Sequence, residues 1–320
     1  MLQATSLSVR LPAGEALRGV DLSLAPGERV GVVGESGSGK SMLGLALMGM
    51  TPASARLSGR LTLDGRDMTR ARERDWRALR ARRIAMIFQE PMAALNPLRR
   101  VGTTVMEPLR VRLGLTRAEA GARALALFNE VGLPDPADRL RQYPHELSGG
   151  QRQRALIALA LACDPAILVA DEPTTALDAE VAARIVDLLV RLSRDRGMAL
   201  VFISHDLAAV ARATERLVVL YGGDVVERGE VGAVLADPRH PYTRGLIAAR
   251  PRPAPRAPGA PRPRLAAIPG SVPPLADLPA GCRFAGRCPV ERPECAARRP
   301  APRPTPHGLA ACHLLEEGAP

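Results

Sequence analysis

Lysine is almost missing from this 320-residue chain: of 44 basic residues, 43 are arginine and one, Lys40, is lysine. Aromatic residues make up only 2%, so platforms on which nucleobases could stack are scarce. That shortage weakens the nucleic-acid reading that a net charge of +11 would otherwise invite. The arginines are also scattered among acids over the first 250 residues, and much of the surplus sits in a Pro/Arg segment near the C-terminus. A cytoplasmic face near anionic lipid is an equally good use of such charge. The longest apolar run, Ala155 to Cys163, has nine residues, whereas a bilayer span needs about 20. Met1 to Arg10 has no apolar signal core. An intracellular protein that does not itself cross a membrane is therefore expected. Its five cysteines are not expected to form disulfides in a reducing compartment.

The one lysine stands in Gly34-Glu35-Ser36-Gly37-Ser38-Gly39-Lys40-Ser41, a match to G-x-x-x-x-G-K-[ST], the phosphate-cradling P-loop. An ammonium is a compact point charge on a flexible stem, and arginine's guanidinium is a wide planar fork. Only the compact group fits inside a backbone loop already wrapped around phosphates. The flanks agree: Arg29 to Val33 is a short apolar run of strand type, and Met42 to Met50 reads as a helix. Loop N–H groups and the helix N-terminus would supply positive potential to the β- and γ-phosphates. Ser41 would offer its hydroxyl oxygen to Mg²⁺.

Residues 2–34 alternate apolar and polar positions, and Leu61-Thr62-Leu63 before Asp64-Gly65 suggests a hairpin. Residues 73–82 read as helix, Arg83 to Phe88 as strand, and Thr116 as the cap of a helix from Arg117 to Val131. Ile167 to Ala170 is a buried strand ending at Asp171-Glu172, with two further strand–helix alternations at Ala199 to Ile203 and Leu217 to Leu220. The pattern is an α/β fold with a mixed sheet, an antiparallel β subdomain and a helical insertion over about residues 90–150. Residues 1–240 are expected to form the main domain and 241–280 an extension containing a Pro/Arg linker at 251–266. Residues 281–320 then form a Cys-rich module too short to bury a core without a staple.

Asp171 at a strand's C-terminal end could hold the Mg²⁺ that Ser41 also binds, and Glu172 could face the water attacking a γ-phosphate. Leu147-Ser148-Gly149-Gly150-Gln151 places two glycines and a Ser hydroxyl at a helix start, a second anion nest or a simple cap. GESGSGKS, Gln89 in FQEP, LSGGQ, ILVADE, Ala176-Leu177-Asp178 and His205 after Phe202-Ile203-Ser204 then follow in the order of an ABC transporter ATP-binding subunit. Residues 2–240 resemble that family throughout. Tyr143-Pro144-His145-Glu146 and His240-Pro241-Tyr242-Thr243 make the chain most similar to the oligopeptide/dipeptide importer subunits.

That resemblance implies an ABC cassette of the P-loop NTPase fold that binds and hydrolyses ATP. Residues Gly34 to Ser41 would hold the phosphates, and Ser41, Gln89 and Asp171 would order Mg²⁺. Glu172 would be the general base, with His205 and Gln89 completing the catalytic set. Ser148, Gly149, Gly150 and Gln151, with the loop at Asp178, would close on ATP held by a facing subunit. It further implies a second ATPase subunit (a heterodimer), two transmembrane permease subunits and, indirectly, a solute-binding protein, at the cytoplasmic face of the inner membrane. Peptide import is the expected task, with nickel or another small solute, or a soluble role on nucleic acid or ribosomes, as alternatives. One residue departs from the pattern. The family carries an adenine-stacking aromatic at a place falling near Leu11, yet residues 1–33 hold no aromatic.

Four further cysteines, Cys282, Cys288, Cys295 and Cys312, crowd the C-terminus with five, six and sixteen residues between them. These gaps do not match the C-x₂-C pairs of zinc ribbons. Thiols at such density suit a soft metal, and zinc, an Fe–S cluster or unliganded thiols remain open, with His307 and His313 as reserve ligands. The importer subunits carry a similar tail, associated in that family with a [4Fe–4S] cluster. Cys163, in an apolar helix, reads as core packing.

Overall fold

The computed structural model describes residues 1–89, 94–250 and 267–315. The linker expected at 251–266 and Glu90-Pro91 of the FQEP stretch lie outside the described residues.

Two sheets organise the chain. Strands β1 (Leu2–Leu11), β2 (Gly14–Leu24), β4 (Arg56–Leu63) and β5 (Arg66–Asp67) form an antiparallel sheet in the order β2-β1-β4-β5. The second sheet contains β3 (Arg29–Val33), β6 (Ile84–Ile87), β7 (Ile167–Asp171), β8 (Ala199–Ile203), β9 (Arg216–Tyr221), β10 (Asp224–Glu230), β11 (Pro302–Thr305) and β12 (Gly308–Ala311). Its order is β11-β12-β10-β9-β3-β8-β7-β6. Strands β6 to β9 and β3 pair in parallel; β10, β11 and β12 add antiparallel pairs at the other edge. Both kinds of pairing occur, as expected of a mixed sheet.

The parallel strands are buried on both faces, and period-2 alternation divides their side chains between two cores. Val30, Val32, Val169, Val201 and Ile203 point to the side of the antiparallel sheet and the Lys40–Leu47 helix. Leu168, Ala170, Leu200 and Phe202 point the other way, against the long helices. Each such side chain contributes roughly 1.5–3 kcal/mol by leaving water. The Arg117–Glu130 helix begins as expected at Thr116, whose side chain accepts from the Glu119 N–H while Glu119 caps in return. The expected helix at 73–82 ends at Leu79, and the strand after it spans Ile84–Ile87.

The C-terminal edge differs from the expected alternation. After β9 the chain turns at once into β10, because Gly222 and Gly223 take φ of 53° and 86°. Two consecutive positive φ values are what a tight hairpin turn requires. Strand β10 in turn pairs with β12 of the Cys-rich module, Glu227 opposite Ala310 and Gly229 opposite Gly308. The module adds a hairpin to the main sheet and shares its core, which is how so short a segment avoids needing a staple of its own.

Candidate nucleotide site

Where β3 ends, the chain wraps through Gly34 to Gly39 and enters the Lys40–Leu47 helix. A side chain at Gly34 would put its Cβ 2.2 Å from the Leu220 carbonyl oxygen, so only glycine lets the loop lie against β9. Gly39 has φ of 100° and sits 2.9 Å from the Ala16 carbonyl by the same measure. Main-chain bonds fasten the loop, Ser38 N–H to Glu35 O at 3.1 Å and Gly223 N–H to Ser38 O at 2.8 Å. Lys40 folds back inside it and donates to the carbonyls of Gly34 (2.9 Å) and Glu35 (3.0 Å). Burial lowers the Lys40 pKa, and the nearby carboxylates of Glu172, Asp171 and Glu35 work against that shift.

The neighbouring β7 delivers the acids. Asp171 is buried, which raises its pKa; the Ser41 hydroxyl bonds to it, and its Oδ1 has no hydrogen-bond partner among the described residues. Glu172 follows at φ 49°, a left-handed conformation that costs a non-glycine residue of order 1–3 kcal/mol. Its N–H donates to the Ile203 carbonyl at 2.9 Å. Held so, Glu172 places Oε2 at 2.8 Å from His205 Nδ1 and Oε1 at 3.9 Å from Lys40 Nζ. The Glu172 side chain is 7% exposed and that of His205 69%, so a buried carboxylate meets an exposed ring at the mouth.

An open cavity of about 640 Å³ brings these groups together: Ser36, Gly37, Lys40 and Ser41 on one wall, Gln89, Glu172 and His205 on the other. Glu35 and Gly39 also line it, whereas Gly34, Ser38 and Asp171 stand behind the wall. Ser148, Gly149, Gly150, Gln151 and Asp178 do not line this cavity. Ser148 caps the Gly149–Leu161 helix reciprocally with Gln151. Asp178 caps the Ala179–Asp195 helix by accepting from the Val181 N–H at 2.9 Å. The two caps belong to one surface, since a Cβ on Gly150 would come 2.8 Å from Val181 and one on Gly149 3.2 Å from Leu177. Leu11, half-buried at the end of β1, does not line the cavity either.

Residues 17–175 match the ABC transporter family, and residues 226–295 match the oligopeptide/dipeptide transporter C-terminal region. The dipeptide transport ATP-binding protein DppD of Escherichia coli (strain K12) is 46% identical over 306 residues, covering 94% of this chain and 92% of that protein. The chain belongs to the ABC transporter ATP-binding subunits, close to those of the oligopeptide/dipeptide importers. The oligopeptide transport ATP-binding protein OppD of the same strain is 43% identical over 297 residues, 93% of this chain and 87% of its own length. A dimeric, post-hydrolysis structure of the ATP-binding cassette MJ0796 bound to ADP and Pi superposes with a TM-score of 0.64 at 30% identity. It covers 72% of this chain and 99% of that one. This ABC subunit is thus an ATP-hydrolysing α/β cassette. Among its described residues no helix is long and apolar enough to cross a membrane.

The metal expectations require correction. Among the described residues no group of three or more His, Cys, Asp or Glu side chains could hold a metal ion. Cys282, Cys288, Cys295 and Cys312 do border one space together with His313, but it measures about 10 Å³, roughly the room of one water. Neither a [4Fe–4S] cluster nor the zinc alternative is supported there. Burial pushes the Cys282 thiol up to about 12 and raises Cys288 and Cys312 as well, which favours the protonated form over the ligating thiolate. His313 Nε2 lies 2.8 Å from the Arg298 carbonyl oxygen, and His307 lies 3.5 Å from Asp237. The Mg²⁺ set of Ser41, Gln89 and Asp171 gains no support from the same finding, since Asp171 is its one carboxylate and the Ser41 hydroxyl is bonded to it. Cys163 is buried, with its sulfur 3.7 Å from the Pro108 carbonyl.

Two residues at the site escaped the sequence reading. Tyr242 and Arg287, both from the C-terminal extension, bond to Glu35 of the P-loop. In the sequence Tyr242 serves only as a family mark, and no motif singles out Arg287. The available signal was composition: in a chain with three Tyr and four Phe, Tyr221, Tyr242 and Phe284 gather in one cluster.

Proposed function

We propose that this subunit is one half of an ATPase pair that drives import of di- or oligopeptides, with its residues acting as follows. Lys40 and the N–H groups of the P-loop hold the β- and γ-phosphates, the ammonium exchanging its carbonyl partners for phosphate oxygens. Glu172 orients a water against the γ-phosphorus and takes its proton as the new P–O bond forms and the bond to the β-phosphate oxygen breaks. His205, bonded to Glu172 through Nδ1, turns its exposed ring to the γ-phosphate. Gln89 faces Ser41 from the opposite wall, and Asp171 stands behind, bonded to the Ser41 hydroxyl.

The observation that carries this reading is the division of the site. Lys40, Glu172 and His205 meet in one cavity, while the Ser148 helix end and Asp178 lie outside it on a common surface. Such an end offers N–H groups to an anion on a facing subunit. A dimer in which Ser148, Gly149, Gly150 and Gln151 cap the partner's ATP follows, and MJ0796 is itself dimeric. The peptide cargo is supported by the names of DppD and OppD and by the match over residues 226–295. Two permease subunits, a solute-binding protein acting through them, and a place at the cytoplasmic face of the membrane complete the assembly. The second ATPase is read as a different chain.

Glu172→Gln is expected to keep ATP binding and lose turnover by at least about 100-fold, the usual reach of a general base. ATP hydrolysis at the wild-type rate would sink the assignment. Membrane proteins recovered with the tagged full chain from its own cells should include peptide permeases, and recovery of permeases for another solute would overturn the cargo.

A further inference from the structure

Glu35 is held at three points, two of them by the C-terminal extension. Its carboxylate receives both arms of Arg287, Nη1 at 2.7 Å from Oε2 and Nη2 at 3.2 Å from Oε1. Its N–H donates to the Tyr242 hydroxyl at 2.7 Å. Its carbonyl oxygen accepts from Lys40 Nζ at 3.0 Å. Arg287 is itself fixed in place: Nη1 reaches the Tyr221 hydroxyl at 3.1 Å, Nε the Pro269 carbonyl at 2.7 Å and Nη2 the Gly270 carbonyl at 3.1 Å. Its guanidinium lies 5.6 Å from the Tyr221 ring centre and 6.0 Å from that of Phe284. The Arg287 side chain is 7% exposed and that of Glu35 27%. A forked, charge-assisted pair of this kind fixes orientation as well as position.

We infer that Arg287 and Tyr242 are positioning residues of the ATPase, acting through Glu35 on the phosphate grip of Lys40. Glu35 then works differently from Lys40. Its N–H is occupied by Tyr242 and does not face phosphate, and its carboxylate is neutralised by Arg287 beside the site where ATP would bring several negative charges. Without the Arg287 arms, that carboxylate would stand as an unpaired anion next to the β- and γ-phosphates. The Glu35 N–H shares its rigid peptide plane with the Gly34 carbonyl, the other acceptor of Lys40 Nζ, so without the Tyr242 hydroxyl that plane could rotate away from the ammonium. The C-terminal extension is on this view part of the nucleotide site.

The inference rests on ATP binding at Lys40, so the test uses wild-type turnover and the Glu172→Gln loss as separate controls on that reading. In the full-length chain, Arg287→Gln leaves the carboxylate unpaired and should lower kcat/KM for ATP about tenfold, the equivalent of 1.4 kcal/mol. Glu35→Gln/Arg287→Gln removes the anion together with its partner. It should recover part of that loss, because the two side chains act as one unit. Tyr242→Phe keeps the ring in its cluster and removes only the hydroxyl; it should raise KM for ATP several-fold while the thermal midpoint stays near wild type. A double variant whose losses simply multiply would overturn the role of the pair, as would kcat/KM unchanged in Arg287→Gln. If Arg287→Gln does not fold, Tyr242→Phe decides: unchanged KM and kcat in a folded protein would refute the positioning role.

Discussion

Leu11 and Lys40 show how far single residues carry the argument. Lys40 was readable because the P-loop is contiguous: the residues that wrap the ammonium are its own neighbours in sequence, and the structure brings its Nζ to the carbonyls of Gly34 and Glu35. Leu11 was readable as an omission, since no aromatic lies in residues 1–33. An aromatic platform can contribute ~1–3 kcal/mol per stacked base, and a leucine at that place forgoes most of it. ATP and GTP should therefore be turned over at rates within about threefold of one another, the grip on phosphate outweighing that on the base. Steady-state hydrolysis of the two nucleotides side by side checks this, and a preference for ATP of a hundredfold would count against it. The role of Glu35 was not readable, because the groups that hold it come from residues 242 and 287.

At the scale of elements, ends proved as informative as interiors. Thr116, Ser148 and Asp178 each cap the helix that follows; the first two were legible because capping uses residues three apart, whereas Asp178 reads in the sequence only as part of a loop toward the facing subunit. The β9–β10 hairpin was not anticipated, although Gly222-Gly223 is a recognisable turn pair. His240 offers a test at this scale. It caps the Pro241–Ala248 helix through Nδ1, which accepts from the Tyr242 N–H at 3.0 Å, and it is 1% exposed. Burial, helped by the positive charge of Arg244, lowers its pKa to about 3. A histidine depressed in the folded state binds its proton more readily when unfolded, so its contribution is complete above the unfolded value of about 6.5. It is lost progressively as the pH falls from there toward 3. Urea unfolding should thus show stability lower at pH 5 than at pH 7.5, by up to about 2 kcal/mol from this group. His240→Asn should narrow that difference; a difference of the same size in the variant would assign it elsewhere.

For the molecule as a whole, the Cys-rich segment folds as a continuation of the cassette. Strand β12 extends the main sheet beyond β10, and Phe284, 2% exposed, packs with ring centres 5.0 Å from Tyr221 and 5.4 Å from Tyr242. Arg18 ties the β2 strand to the carbonyls of Ala280 and Gly281 as well as to Asp224. Phe284→Ala should therefore destabilise the entire chain by about 3–5 kcal/mol, as large-to-small changes do in a shared core. Denaturation followed at Trp76, which lies in the core on the antiparallel-sheet side of the main sheet, reads this out. A loss below about 1 kcal/mol at that probe would mean that the segment unfolds separately.

The sequence by itself determined the nucleotide chemistry, because each motif is short and its geometry is set by neighbours in the chain: glycines that permit the loop, a lysine compact enough to sit in it, an acid at a strand end. It determined the α/β class through the short continuous apolar runs of β3, β7 and β8. Only the tertiary structure decided where the C-terminal extension packs. There Arg287 and Tyr242 meet Glu35 across more than 200 residues, and four cysteines close on a space too small for the cluster expected of them. Contacts of that range depend on how β10 and β12 pair, and no local spacing encodes that pairing.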